Sequence, residues 1–550
     1  MQTQRNVPAM PMTAQTIHLG GFDWDGETHS FRNDGVEIDA HARDALYDIL
    51  RSTASPRLEI IAPPGIINLG RATHTSCICI QRSNVMLRGA GKNATKFLYT
   101  SNFVTIPTQF INGCGIIVTR WDIKRGWTML ENVTLRDFEI EDLSPATASG
   151  DYIKTNSPSG IFGYGVDHVE LLDLRVVNAK GNGQITFNGS TGNEGPLQQG
   201  FLARNVDILG DPKRPGKVAE GDGFNIGSYR DVKILQGSIV RVVRHAFEGG
   251  TPGRSMLVDG VLVDQQGQGF SGVAPTGYAD VRIVNCHIRN IAKGWYHIDF
   301  TDDPGARAPS MRNVIIQSNI LERGETGGKT MSHLPVRLQT IGAPSLVGNA
   351  DISHNIFRGD FYTGILIGSN DVPSGIIAHN DFSQMMDTGT TTIINRVSNT
   401  GKAPAPRDTL IIEGNRTAPG TPFVRFNNVP EWKNTRYLRI RSNAGGQSLA
   451  EACGGLNQCG HLALVAAGWV GGAVPAGGMS KGHEVTVLDA TPGDAVTVHY
   501  DASWPVGPAA EVIAMVTGND VVTCWVRNGT GGAGPVLGVG HRFYVDVARR

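Results

Sequence analysis

The sequence predicts an all-β protein, a right-handed parallel β-helix of about a dozen coils built as a solenoid of short repeats. Three observations predict it: abundant glycine with little charge, a motif that recurs along most of the chain, and asparagines at one position of that motif. Of 550 residues, 70 are glycine and 18% are charged, against roughly 7% and 25% in ordinary globular chains. Such a chain is rich in turns and long enough to bury a large core.

The motif opens with an apolar residue, continues through a small or Asn fourth position, and usually ends apolar. Its copies are LRDFEI, LLDLRV, ILQGSI, IVNCHI, IQSNIL, ISHNIF, IAHNDF and IEGNRT, starting at Leu135, Leu171, Ile234, Ile283, Ile316, Ile352, Ile377 and Ile412. Weaker copies start at Leu87, Ile208, Val258 and Ile440. From Leu135 onward, successive starts lie 24 to 37 residues apart. That loose period suits coils of three short strands whose turns take insertions of different length. A leucine-rich repeat would show a recurring Leu framework, which is absent.

In the last five copies the fourth position is Asn319, Asn355, Asn380, Asn415 and Asn443. Stacked Asn side chains hydrogen-bond to the coils above and below and tolerate a left-handed backbone, so these five read as a ladder at a tight turn. A second strand follows in each coil: GFNIGS, AFEGG, GFSGV, WYHIDF, PVRLQT and GILIGS. Period-two alternation points Phe224, Phe247, Phe270, Ile298 and Leu338 inward and their neighbours outward.

Four segments follow from these patterns. Residues 1–75 form an N-terminal segment and cap, in which Asp34–Leu50 has helical apolar spacing and covers the first coil against edge pairing. Residues 76–447 form the β-helix. Residues 448–478 read as a small-residue connector, and residues 479–550 as a small β-sandwich of alternating strands. Of seven cysteines, Cys453 and Cys459 alone are close enough for a local bridge; the others read as buried thiols.

A net charge of −1 leaves no basic footprint for nucleic acid. No apolar run is long enough to span a bilayer, and MQTQRNVPAMPMTAQ lacks the basic region and apolar core of a signal peptide. Neither membrane insertion nor a secretion signal is expected.

The start DGVEIDAHARDALYDIL, the PPG turn and SNVMLRGAGKNAT resemble the N-terminal part of the pectate-lyase-like β-helix superfamily, and the likeness continues to about Asn443. PGDAVTV, VVTCWVRNGTGG and the terminal strand resemble C-terminal modules of trimeric phage tail proteins. The combined resemblance is to bacteriophage tailspike depolymerases. It implies a homotrimer in the virion tail, with the sandwich as trimerisation or carbohydrate-binding module. It also implies an N-terminal segment that meets tail or baseplate proteins, and a bacterial surface polysaccharide as ligand: capsule, exopolysaccharide or O-antigen. A non-catalytic receptor-binding fibre and a separate polysaccharide hydrolase or lyase are the alternatives.

Stacked coils place equivalent residues about 4.8 Å apart, a rigid face suited to an extended polymer. The outward row of the second strand holds Asn225, Glu248, Ser271, His297, Asp299 and Arg337, flanked by Glu220, Asp222, His245, Asp302 and Asp303. Glu248 and Asp299, two coils apart, approach the roughly 6.5–9.5 Å carboxylate separation of an inverting glycosidase. They are the preferred catalytic pair, with Asp222 as competitor. Asn225, His245, His297, Arg337 and Trp295 are the candidate substrate-binding residues, as amide, imidazole, guanidinium and indole groups meet sugar hydroxyls and rings.

AEGDGF resembles an acidic segment of polygalacturonase-type hydrolases, but the rest of their motifs is missing, so their catalytic residues are not transferred. A glycoside hydrolase needing no metal or cofactor is therefore expected. In a polysaccharide lyase, the runner-up, a base removes the proton beside a carboxylate while a cation or Ca2+ stabilises the charge, and Arg337, His297 and the Asp302–Asp303 pair supply the residue types needed. No EF-hand or HExxH spacing supports a metal site.

Overall fold

The computed structural model describes residues 15–18, 34–37, 57–71, 76–100, 114–122, 126–144, 159–179, 183–188, 197–210, 221–242, 244–249, 253–265, 271–275, 278–291, 296–302, 313–323, 334–340, 349–359, 361, 363–368, 374–385, 392–397, 410–417, 424–427, 434–435, 438–441, 458–459, 462–470, 472–487, 490–500, 504–505, 510–519, 521–538 and 540–548. The chain divides into two compact units, residues 1–311 with 322–326 and residues 312–321 with 327–550.

In the first unit, two parallel sheets stack coil on coil. The long sheet places Leu87, Leu135, Leu171, Ala203, Ile234, Val258 and Ile283 in one register column. All seven are buried, so the motif's first residue is the core residue that recurs. The copy at Ile208 is misplaced by the sequence reading. Ala203 occupies the column, while Ile208 pairs with Val176 and Ile239 around the next corner. The small Ala hid the true copy, and with it the steps become 32 and 31 residues (171 to 203 to 234).

The bend inside each long strand has a local cause. Asp137, Asp173, Asn205, Gln236 and Asn285, each at the motif's third position, adopt left-handed φ values of 53 to 62°. Asp and Asn adopt this conformation more readily than most side chains because their short polar groups bond locally. Neighbouring corners are tied: Asn205 Nδ2 donates to Asp173 Oδ1 at 2.7 Å, and Asn285 Nδ2 donates to Asp259 Oδ1 at 2.9 Å.

The second sheet of this unit aligns Ile78, Ile116, Ile161, Ile185, Phe224, Phe247, Val273 and Ile298. In GFSGV the structure thus puts Val273 in the inward column; Phe270 lies outside the described residues.

The second unit repeats the plan with Ile316, Ile352, Ile377, Ile412 and Ile440 in one column. Its ladder is as read. The backbone N–H and Nδ2 of Asn319 both donate to Asn355 Oδ1 at 3.0 Å, Asn355 donates likewise to Asn380, and Asn380 to Asn415. The turn itself differs: the left-handed residues are the preceding Ser318, His354, His379 and Gly414. Asn443 lies outside the described residues.

The C-terminal module packs two sheets on a shared core. Val465, Phe543, Val545 and Val547 come from one sheet, and Val512, Val522, Cys524 and Val526 from the other. Leu462–Ala466, inside the segment read as a connector, pairs with Arg542–Ala548, so this sheet begins before residue 479.

The expected N-terminal helix is not supported. Asp34–Glu37 is a strand paired with the strand Gly65–Arg71, and residues 38–50 lie outside the described residues. Cys79, Cys114, Cys286 and Cys524 are buried thiols. Burial pushes those of Cys114, Cys286 and Cys524 up to about 12. The Cys453–Cys459 pairing lies outside the described residues. No described helix is long and apolar enough to cross a membrane.

Candidate active site

Two adjacent strands of the first unit, Asp222–Ile226 and His245–Glu248, bring three acids and bases together. Their register sets Phe224 on Phe247 and Asn225 on Glu248. The buried phenylalanines fix the strands, and the titratable residues sit beside them.

Asp222 is fully buried and accepts the backbone N–H of His245 at 3.1 Å. Asn225 Nδ2 lies 3.2 Å from Asp222 Oδ2 and 3.4 Å from Glu248 Oε2, bridging the two acids. Arg244 adds a fixed cation: its guanidinium is 3.3 Å from Glu248 Oε1 and 3.7 Å from Asp222 Oδ2. The sequence reading missed Arg244. Its one signal was the i,i+4 spacing to Glu248 within RHAFE, which starts in the bend just before the strand.

The two acids are driven apart in acidity. Burial, then the charge of Glu248, pushes Asp222 well above the ordinary carboxylate range. Glu248 also pays for burial, but hydrogen bonding to Asp222 and the charges of Arg244 and His245 outweigh that cost and hold it below the range. Burial and the neighbouring carboxylate thus favour the neutral form of Asp222, while Arg244 favours the charged form of Glu248.

Asp222, His245 and Glu248 each offer a ligand atom within 4.8 Å of the others. Arg244 stands against the same carboxyls and is the permanently charged cation beside them.

Glu248 faces Ala274 on the next strand. Continuing the register one residue past Val273 and Ile298 puts Ala274 beside Asp299. Glu248 and Asp299 thus share a column with one small residue between them, about 9.6 Å apart at the backbone. Ser271 is not in that column; it pairs with His245 and Tyr296 and is buried.

Two expected outward groups are buried: Asp299 is 5% exposed and His297 3%. His297 Nε2 lies 2.9 Å from the Glu322 carbonyl oxygen, which makes it a core histidine and not a group facing solvent. His245 is half-buried. Arg337 belongs to the second unit, half-buried opposite Leu366. Trp295, Glu220 and Asp303 lie outside the described residues, as does the side chain of Asp302.

Fold and site together define the class: a right-handed parallel β-helix with a paired-carboxyl cluster on one sheet. No protein-family profile and no curated protein matches the chain. Among solved structures it is similar to a mutant tailspike protein of E. coli bacteriophage HK620 in complex with pentasaccharide. That likeness has a TM-score of 0.54 at 12% identity and covers 96% of this chain and 93% of the other. The Streptococcus pneumoniae surface adhesin PfbA is similar at TM-score 0.45 and 10% identity, covering 79% and 93%. A hyperthermoactive exopolygalacturonase from Thermotoga maritima is similar at 0.41 and 13%, covering 76% and 91%. At these identities the likeness concerns the fold, and the tailspike comparison is the one that supports it.

Proposed function

We propose that the chain is a phage tailspike that binds a bacterial surface polysaccharide and cuts it by hydrolysis. The observation that carries the reading is the geometry of the Asp222–Glu248 pair: a buried and a partly exposed carboxyl on adjacent strands of a β-helix, bridged by Asn225 and faced by Arg244. Paired carboxyls in unlike surroundings mark acid–base chemistry.

Glu248, ionised and partly exposed, takes a proton from water as its oxygen attacks the anomeric carbon. Asp299, across Ala274, protonates the leaving glycosidic oxygen as the C–O bond breaks. Asp222 stays protonated and holds Glu248 in place, with Asn225 bridging the two. The backbones of Glu248 and Asp299 stand about two strand spacings apart, from which their carboxyls can approach the roughly 6.5–9.5 Å of an inverting enzyme. Arg244 supplies the positive charge beside the pair, and chelators are expected to leave activity unchanged.

One experiment tests this. NMR of a fresh digest of capsular polysaccharide shows reducing ends of inverted configuration, and Glu248→Gln slows their release roughly 10²-fold or more. Unsaturated ends would make the protein a lyase. A retained configuration would move the catalytic pair to Asp222 and Glu248.

Burial of Asp222 and Asp299 favours a second reading, a fibre that grips the polymer without cutting it. Binding without any new reducing ends identifies that case.

A further inference from the structure

Arg244 lies within 4 Å of both acids, and nothing in the proposed hydrolysis has yet required it. Its backbone is pinned on both sides: its N–H donates to the Gly221 carbonyl at 3.4 Å, and its own carbonyl accepts from Ser271 N–H at 3.3 Å. A side chain anchored between coils in this way starts from a fixed point. Exposed ion pairs are usually worth little, but here one acid is fully buried and the guanidinium is only 28% exposed. Its charge therefore acts through protein more than through water.

We propose that Arg244 is a positioning residue, which decides which of the two acids carries the charge and holds Glu248 beside Ala274. The inference rests on the proposed role of Glu248 as base. Arg244 is nearer Glu248 than Asp222, 3.3 against 3.7 Å. Asp222 has the larger burial cost, so a single cation between them places the negative charge on Glu248. The groups facing Glu248 are Asp222 and Asn225 from one neighbouring strand, Ala274 from the other, and Arg244 and His245 from its own stretch of chain. Asp299 is the next acid along the column. Arg244 and His245 are the positive groups in that set, and Arg244 is permanently charged.

Without Arg244, Glu248 gains protons at higher pH. The acid limb of the rate profile then moves upward by about 1 pH unit or more, the scale for losing an opposite charge at this distance.

The test uses the full chain and a capsular polysaccharide on which the wild-type protein raises a clearing halo. In Arg244→Met the acid limb of kcat/KM shifts up and the rate near its optimum falls at least tenfold. Arg244→Lys restores part of the shift, and added guanidinium ion partly rescues Arg244→Met. Glu248→Gln is the control. If it cuts at the wild-type rate, the role of Glu248 itself is wrong. If Glu248→Gln is inactive while Arg244→Met keeps the wild-type acid limb and ignores guanidinium, Arg244 is only a structural ion pair and the inference falls alone. A lowered unfolding temperature in Arg244→Met with an unshifted profile has that same meaning.

Discussion

Asp222 has no solvent exposure and presses against Glu248, so its proton is retained in the folded chain at pH values where the unfolded chain has lost it. A carboxyl with a raised folded pKa favours folding least above that folded value. Stability contributed by the protonated form is present in acid and is lost as pH climbs from the ordinary carboxylate value towards the folded one, at about 1.4 kcal/mol for each pH unit crossed. Asn mimics the protonated acid. Asp222→Asn is therefore expected to melt above the wild type at pH 8 and level with it near pH 3, while cutting polysaccharide more slowly. Thermal unfolding at the two pH values checks this, and equal melting at pH 8 excludes a strained buried acid. The pairing of Asp222 with Glu248 was partly legible in the sequence, because both sit on recognisable second strands. Two features were not. Arg244 lies in a bend where no period applies, and GFSGV aligns through Val273, so simple counting from Phe270 put Ser271 where Ala274 stands.

The stacked coils make each turn answer to its neighbours. Asn380 shows how: it gives N–H and Nδ2 to Asn415 Oδ1, gives Nδ2 also to the Ile352 carbonyl at 2.8 Å, and its own Oδ1 receives two bonds from Asn355. Asn380→Ala removes the acceptor of the Asn355 N–H and Nδ2 and the donor to the Ile352 carbonyl, and is expected to cost about 1–3 kcal/mol in denaturant unfolding. Gly237 is the parallel case in the first unit. Its φ is +88°, and a Cβ there would come within 2.2 Å of the Val206 carbonyl oxygen of the adjacent coil. Gly237→Ala is expected to cost about 1–3 kcal/mol from backbone strain alone, more if the coil cannot shift. An unchanged transition in either variant contradicts the contact named. The Asn ladder was legible because like residues stack on like at one register. The left-handed corner was not, since Asp, Asn, Gln, Ser, His and Gly all serve there. In the Asp34–Leu50 segment, Asp34–Glu37 joins a sheet, where pairing with a neighbouring strand overrides a weak local period, and the rest lies outside the described residues.

Across the whole molecule, the described exposed large apolar side chains are unevenly placed. Of seven, four belong to the C-terminal module: Met479 at 51%, Tyr500 at 46%, Met515 at 57% and Val536 at 71%. Single exposed apolar residues are ordinary, and the proposed trimer predicts that part of this set is covered by other copies. A repetitive polymer rewards such assembly. Once one chain's site is engaged, the others meet the ligand at high effective concentration, so weak individual sites hold together. A closed threefold ring is the expected form, as the resemblance of the module implies. Light scattering on the full chain is expected to give a trimer mass at micromolar concentration. Met515→Glu combined with Val536→Glu is expected to lower that mass without lowering the melting of the module itself, because neither side chain belongs to its core. Halo formation on encapsulated bacteria would weaken in parallel, while release of reducing ends at saturating soluble polysaccharide would persist if each chain holds its own Asp222, Glu248 and Asp299. A monomeric wild type removes the trimer from the proposal. A trimer whose loss also abolishes cutting moves part of the site to a neighbouring chain.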